Sequence, residues 1–396
     1  MSPPWSTFAA AAPMIEGTHQ PHAGEPSPGA LAPQLRTLGD SAIKPSFRTP
    51  LTDAFGRVHD SLRLSVTDRC NLRCLYCMPE SADDFEDSAS LLSFDAIERI
   101  VRVLAAAGVR KVRFTGGEPL LRRGLVELVA RLAAIPGIED LAITTNGMRL
   151  PAVAAELRRA GLRRVNISLD ALSEEAFRRI ARRRGLEQVF AGIDAALAAD
   201  FDEVRLNALA IRGLNEDQIL PLAEFARDRR LLLRFIEYMP LGGDRSWQST
   251  QMLSGASVRQ RIEEAFGPLR EVPRPDPSQP SRDFAYADGG GRIGFINPVS
   301  EPFCGACNRL RLTATGALRN CLFSHHEWNL APLLAESDAS RLSDSRLSDS
   351  ELLDSQLLDS QLLEEIRRCL AAKEAGHLVA QPGFRQPDRP MYQIGG

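Results

Sequence analysis

The sequence predicts an α/β fold in which a parallel sheet is assembled from successive βα units. Two observations carry this expectation. From Ser61 onward, short apolar runs alternate with longer amphipathic ones, so the strand candidates are separated by helical patterns rather than tight turns. The 396 residues are also enough for one large domain or two ordinary ones around a sizeable core. The first short run is Leu62–Val66, followed after a cysteine-rich loop by a helical pattern near Phe94–Ala107. Lys111–Phe114 leads into Leu120–Ala134, Leu141–Thr144 into Pro151–Ala160, and Arg164–Leu169 into one long helical stretch over Ser173–Ala199. Glu203–Ala210 precedes Glu216–Arg229, and Leu231–Ile236 is the sixth strand. Six units suit an open or incomplete barrel as well as a doubly wound sheet. Both place ligands beyond the carboxyl ends of the strands, where the unusual residues of this chain fall.

Lys and Arg number 48 against 51 Asp and Glu, a net charge of −3, so the chain lacks the basic excess that nucleic acid or an anionic membrane demands. No run of about 18 apolar residues is present to span a bilayer. Seven cysteines are an odd number in a chain far too long for a disulfide-stapled miniprotein, so the thiols need another role. Residues 1–50 read as a disordered extension, because Pro3, Pro4, Pro13, Pro21, Pro26, Pro28 and Pro33 interrupt a stretch without sustained period. Phe8–Ala12 is too short for a signal-peptide core and no Lys or Arg precedes Arg36, which points to a cytoplasmic protein. Residues 341–365 repeat as five pentads, RLSDS, RLSDS, ELLDS, QLLDS and QLLEE. A five-residue step turns a helix by roughly 140° net and alternates strand faces, so the tract fits neither element well. It reads as a low-complexity insertion, helical at most in part, with no chemistry of its own.

Cys70, Cys74 and Cys77 form C-x3-C-x2-C directly after the first strand. Three thiolates in one loop can hold three irons of a four-iron cluster and leave the fourth iron open to a ligand. A zinc site, which commonly uses C-x2-C pairs and needs four ligands when structural, is the competing reading. Gly116-Gly117-Glu118-Pro119 follows the second strand, where two glycines let backbone approach a ligand and Glu118 is placed to meet an ammonium group. Cys304, Cys307 and Cys321 form a second trio, C-x2-C-x13-C, with His325 and His326 near enough in sequence for a Cys3His zinc site as the alternative. Between these cysteines Arg309 and Arg311 lie at strand spacing and project from one face. Guanidinium forks suit phosphate oxygens, so an anionic substrate is favoured over a merely solvated face.

The first cysteine loop, with its aromatic before the third cysteine, and the GGEP segment together resemble the radical S-adenosylmethionine enzymes. Pairing with the second trio narrows the resemblance to the GTP 3′,8-cyclase family of molybdenum cofactor biosynthesis. The match runs from about Asp60 to Gly396 and includes SLRLSVTDRCNLRCLYCMP, KVRFTGGEPLLRR, ITTNG, RRVNISLDAL, RFIEYMPLG, FCGACNRLRL, CLF and the terminal IGG. It implies an incomplete (β/α)6 TIM-type barrel over 51–240. A C-terminal iron–sulfur cluster-binding α+β layer with the GTP site would occupy 241–396. The implied cofactors are two [4Fe–4S] clusters and S-adenosylmethionine. By the same resemblance, Cys70, Cys74 and Cys77 hold the cluster that binds S-adenosylmethionine, with Tyr76, Gly117, Ser168 and Met239 contacting that cofactor. Arg63, Arg113, Thr144, Arg205, Arg309, Leu310 and Arg311 would contact GTP, and Arg205 stands where the family usually has Lys. Cys304, Cys307 and Cys321 would hold a second cluster that meets the guanine base, and Gly395 and Gly396 would reach the active site. Cys369 matches nothing and reads as a buried ordinary thiol.

The implied reaction is a lyase step from GTP to (8S)-3′,8-cyclo-7,8-dihydroguanosine 5′-triphosphate, with S-adenosylmethionine cleaved to 5′-deoxyadenosine and methionine. The implied partners are GTP, an electron donor and a downstream cyclic pyranopterin monophosphate synthase, without nucleic acid or membrane, and a homodimer is compatible. Two other readings share part of the signature. A peptide-modifying radical enzyme with auxiliary clusters shares the first motif but should lack the Arg309 and Arg311 pair and the terminal glycines. A zinc-scaffolded interaction module would carry zinc without sulfide.

Overall fold

The structure, a computed structural model, describes residues 49–81, 85–242, 247–335, 349–379 and 381–395. The expected N-terminal extension lies outside the described residues except for its last two, as do pentad residues 341–348 and Gly396. The first part of the chain alternates strand and helix: β1 (Ser61–Ser65), α1 (Phe94–Ala106), β2 (Lys111–Thr115), α2 (Leu125–Ala133), β3 (Asp140–Thr145) and α3 (Leu150–Arg159). It continues with β4 (Arg164–Ser168), α4 (Glu174–Ala181), α5 (Leu186–Ala198), β5 (Glu203–Ala210), α6 (Ile219–Asp228) and β6 (Leu232–Glu237). The helices form for local reasons. In α1 the Ser93 hydroxyl accepts from the Ala96 amide at 3.1 Å, and Ile97, Ile100, Val101 and Leu104 make one buried stripe against the sheet. Each such buried aliphatic side chain is worth roughly 1.5–3 kcal/mol.

The rest of the chain supplies α7 (Gly255–Phe266), β7 (Leu269–Glu271), β8 (Arg282–Tyr286), β9 (Arg292–Ile296), β10 (Arg309–Leu312), β11 (Ala317–Arg319) and β12 (Trp328–Asn329). Helices α8 (Ala331–Ala335), α9 (Asp349–Ala371) and α10 (Met391–Ile394) follow. All strands join one sheet in the order β12-β11-β10-β1-β2-β3-β4-β5-β6-β9-β8-β7. The six expected strands are parallel in sequence order, and β10 and β9 add to them in parallel beside β1 and β6. Antiparallel pairs β11–β12 and β8–β7 finish the two edges. Among the described residues the two edges do not pair with each other, so the barrel is incomplete, as expected.

Strand alternation sorts the residues. In β1, Leu62 and Leu64 are fully buried under the helices while Arg63 faces the interior cavity. Val112 and Phe114 in β2 repeat that pattern around Arg113, and Leu310 and Leu312 in β10 repeat it around Arg311.

Three expectations are corrected. The stretch Ser173–Ala199 is two helices, α4 and α5, because Arg182 (φ 54°) and Gly185 (φ 138°) turn the chain between them. The early stop is useful, since the carbonyls of Ile180 and Ala181 are then free to accept from Leu75 and Arg73, both at 3.0 Å. Leu120–Ala134 is a 3-10 turn (Pro119–Leu121) followed by α2, which starts only after Gly124 at φ 76°. The described part of the pentad tract, residues 349–365, lies within a regular helix, α9. The rotation argument holds for its side chains: Leu352, Leu353 and Leu357 are exposed, whereas Leu358, Leu362 and Leu363 are buried. Packing of the second half, where Leu362, Ile366 and Leu370 recur every fourth residue against α1, β11 and β12, overrides the unfavourable repeat.

Candidate active site

The barrel encloses a cavity of about 560 Å³. Its wall carries both thiol trios (Cys70, Cys74 and Cys77; Cys304, Cys307 and Cys321) together with Tyr76, Gly117, Ser168 and Met239. Arg63, Arg113, Thr144, Arg205, Arg309 and Arg311 line it as well. The Leu310 side chain is not brought there: it is fully buried on the opposite face of β10. Gly395 reaches the wall through its backbone, whose carbonyl accepts from the Arg311 guanidinium. Gly396 lies outside the described residues.

The first cysteine loop is held by backbone. Besides the bonds to the end of α4, Cys77 and Met78 amides donate to the Cys74 carbonyl at 2.9 and 3.0 Å, and Arg73 donates to the Cys70 carbonyl at 2.7 Å. The two glycines of the GGEP segment serve this loop first. A Cβ on Gly116 would strike the Thr67 backbone, and one on Gly117 would strike the Asp68 and Arg69 carbonyls. Gly117 and Glu118 amides instead donate to Thr67 and Arg69 carbonyls, both at 2.8 Å. The close approach expected toward a ligand is therefore an approach of two chain segments. Glu118 likewise has its carboxylate occupied, by the Thr145 hydroxyl and Asn146 amide at 2.7 Å and the Leu120 amide at 3.1 Å. Tyr76 donates its hydroxyl to Asp170 at 2.7 Å, and the Leu209 amide donates to the same carboxylate at 2.8 Å. Burial raises Asp170 to about 6 against those two bonds.

Across the cavity, Arg57 donates to the Cys304 carbonyl at 2.8 Å and to those of Glu374 and Ala375 at 2.7 and 2.9 Å. Lys373 Nζ, also buried, donates to the carbonyls of Asn320 at 2.6 Å and Arg309 at 3.2 Å and stands 3.6 Å from the Cys307 sulfur. Arg309 reaches the same sulfur at 3.4 Å and stacks on Phe303 with its guanidinium carbon 4.8 Å from the ring centre. Sequence reasoning missed Arg57, Lys373 and Asp170; no local signal distinguishes them from ordinary surface charges. Asp53 holds Arg57 at 2.6 Å and His59 at 3.0 Å in a buried group behind the loop. Burial, with Lys373 nearby, lowers His59 from its ordinary 6.5 to about 4. The unfolded chain therefore binds a proton there that the folded chain does not, and stability falls as pH drops from 6.5 toward 4. Replacing His59 by Gln is expected to flatten that part of the stability profile, measured by denaturant unfolding at pH 7 and pH 4.5.

The thiols suit iron–sulfur clusters by their chemistry. All seven cysteines are free, and the two trios on one cavity wall are a donor set of the kind that suits four-iron clusters, since three thiolates would leave one iron of each open. Among the described residues no three His, Cys, Asp or Glu side chains converge on a single-ion site. His325 and His326, the partners of the zinc alternative, are exposed and outside the cavity wall. Burial raises Cys70 to about 11 and pushes Cys74 and Cys77 up as well, so loading the first trio displaces protons. At Cys307 the opposite holds: Arg309 and Lys373 outweigh burial and bring the thiol down to about 6. Cys369 is fully buried and does not line the cavity, the ordinary thiol expected.

The arginines complete the wall. Strand register sets Arg63 opposite Arg311 on one side and Arg113 on the other, three guanidiniums across adjacent strands. Among the described residues Arg63, Arg113 and Arg311 have no carboxylate partner, whereas Arg205 is paired with Glu203, Arg164 with Asp140 and Arg234 with Asp283. Burial and then mutual repulsion lower Arg63 well below its ordinary range, Arg113 to about 9 and Arg311 to about 10.

Residues 64–226 match the family model of the Radical SAM superfamily, and residues 231–349 match that of Molybdenum Cofactor Synthesis C. In fold the chain is similar to Streptococcus suis SuiB bound to S-adenosylmethionine, with a TM-score of 0.51 at 14% identity, covering 79% of this chain and 71% of that one. Partial barrel, thiol loop and family match together define a radical S-adenosylmethionine enzyme. In sequence the chain is 46% identical to a GTP 3′,8-cyclase of Rhodopirellula baltica over 90% of this chain and 96% of that one. It is 44% identical to a GTP 3′,8-cyclase of Pelotomaculum thermopropionicum over 74% and 90%. The chain belongs to the GTP 3′,8-cyclase family. It is a lyase of molybdenum cofactor biosynthesis, with [4Fe–4S] clusters and S-adenosylmethionine as cofactors.

Proposed function

We propose that this chain converts GTP to (8S)-3′,8-cyclo-7,8-dihydroguanosine 5′-triphosphate, joining C3′ of the ribose to C8 of guanine. The observation that carries the reading is a row of three inward arginines, Arg63 and Arg113 half-buried and Arg311 buried, that have no carboxylate partner among the described residues and share one cavity with two thiol trios. Such a cluster is unfavourable empty and complementary to a triphosphate. Cys70, Cys74 and Cys77 would hold the first cluster, and Tyr76, Gly117, Ser168 and Met239 stand around the cofactor that it binds. When bound, this pair supplies one-electron chemistry: S-adenosylmethionine is cleaved to 5′-deoxyadenosine and methionine as hydrogen is taken from the substrate. Cys304, Cys307 and Cys321 would hold the second cluster against the guanine. Arg63, Arg113 and Arg311 neutralise the triphosphate, and Arg205, already paired with Glu203, contacts the nucleotide beside them, with Arg309 beside the second trio, Thr144 on the wall and Leu310 offering only backbone. The chain's own work is to orient the ribose between the two trios and to exclude water.

The segments 51–240 and 241–396 divide this labour, the first carrying the cofactor loop and the second the auxiliary thiols. Such chemistry needs an external electron donor. Its product is a substrate for a cyclic pyranopterin monophosphate synthase, and a homodimer is compatible with this reading. A cytoplasmic setting is supported by seven unpaired thiols. No helix of the described residues is long and apolar enough to cross a membrane.

The test is GTP binding. Arg63→Ala, Arg113→Ala, Arg309→Ala and Arg311→Ala should each weaken GTP affinity about tenfold or more, since a hydrogen bond to a charged group contributes about 1.5–3 kcal/mol. S-adenosylmethionine affinity should stay near that of the unaltered protein. GTP affinity unchanged in all four would remove the triphosphate from this wall.

A further inference from the structure

Asn166 is 1% exposed, lies midway along β4 and lines the cavity. Its Nδ2 donates to the Ile143 carbonyl at 3.1 Å. That bond fixes the amide, because the flipped form would set two oxygens against each other. Oδ1 is thus the remaining atom, and it is buried without a hydrogen-bond partner. A buried acceptor left unmade is costly, so one kept on a cavity wall points to a donor on a bound ligand.

Position narrows the donor. The inward residues of β4 run Arg164, Asn166, Ser168 from the amino to the carboxyl end. Arg164 is paired with Asp140, and Ser168 stands at the cofactor end. Register places Asn166 between Thr144 and Arg205, both on the nucleotide side of the proposed site. Asn207 also has a buried unpartnered Oδ1, but it is in register with Ser168 and so falls on the cofactor side. A fully ionised triphosphate offers acceptors only. The guanine, in the reading above, faces the second trio next to β10, which lies four strands from β4 in the sheet. The donors left on the nucleotide are its ribose hydroxyls. We infer that Asn166 Oδ1 accepts a hydrogen bond from a ribose hydroxyl of the nucleotide, which makes Asn166 a residue that selects ribonucleotides over deoxyribonucleotides. The inference rests on the nucleotide reading of this cavity.

The experiment is equilibrium binding of GTP, 2′-deoxy-GTP and 3′-deoxy-GTP to the anaerobic cluster-loaded enzyme, with S-adenosylmethionine binding measured alongside. The unaltered enzyme should bind one deoxy analogue about tenfold more weakly than GTP, and which one identifies the hydroxyl. Asn166→Ala should bind GTP as weakly as that analogue, lose the preference and keep its S-adenosylmethionine affinity. Asn166→Leu, which roughly keeps the volume, should do the same where alanine loosens the strand. Equal binding of all three nucleotides by the unaltered enzyme would overturn the inference without any variant. So would a preference retained in the variants, or a loss that falls on S-adenosylmethionine instead. An unaltered enzyme that binds no GTP would overturn the nucleotide reading and this inference with it, an outcome distinct from the others.

Discussion

Replacing Cys70, Cys74 or Cys77 by alanine is expected to abolish cleavage of S-adenosylmethionine. Replacing Cys304, Cys307 or Cys321 is expected to leave abortive cleavage but to stop cyclisation. The two trios share a cavity, yet separate parts of the chain hold them. The first is anchored to the end of α4 and to the GGEP segment, the second to Arg57 and Lys373. Loss of one thiol in the second loop therefore leaves the supports of the first intact. With two of three ligands remaining, a four-iron cluster with an open site is not held firmly, so the loss in each case should approach the detection limit. The measurement is anaerobic reconstitution, iron and sulfide per chain, and separate assays of 5′-deoxyadenosine and cyclised product. Equal loss of 5′-deoxyadenosine in both sets, with the first cluster still loaded, would remove the division of labour.

Deleting Gly395 and Gly396 should leave both clusters and S-adenosylmethionine binding in place while cyclisation falls about ten- to a hundredfold, the worth of a hydrogen bond to a charged group. The tail is not frayed where it is described. In α10, Tyr392 packs with Met78 beside Cys70 and Cys77, and its ring meets Phe85 edge-on at 6.3 Å. That clamp stays in the truncated chain. What goes is the Gly395 carbonyl on Arg311, one of the wall arginines that have no carboxylate partner among the described residues. Gly395 sits at φ 73°, and a Cβ there would strike the Thr115 hydroxyl, so Gly395→Ala should reproduce part of the loss without shortening the chain. Full cyclisation by the truncated enzyme would make the tail dispensable.

Much of this was legible in the linear chain. Strand runs such as Leu62–Val66 and helical runs such as Phe94–Ala107 carry their periods locally, and the structure places β1 and α1 on them. The strand spacing of Arg309 and Arg311 put both on one face, and β10 turns that face into the cavity. Less legible were features whose cause lies elsewhere in the fold. The break between α4 and α5 follows from a left-handed Arg182 and Gly185. The glycines of GGEP are required by carbonyls some fifty residues upstream in the cysteine loop. The pentad tract has no helical stripe of its own, yet its described part forms α9 because α1, β11 and β12 bury its second half.

The sequence by itself determined the chemistry available: two thiol trios by their spacing, and inward arginines by the two-residue period of a strand. Those are local quantities, set within eight residues for the first trio and eighteen for the second. Only the tertiary structure decided which arginines meet. Arg311 stands beside Arg63 because β10 pairs in parallel with β1, in a register joining Ser61 to Arg309 and Leu64 to Leu312. It likewise decided that Lys373 and Arg57 converge on the second thiol loop, and that the chain's tail reaches Arg311. Hydrogen-bond register between distant segments depends on how a whole barrel packs, and no local period of either segment records it.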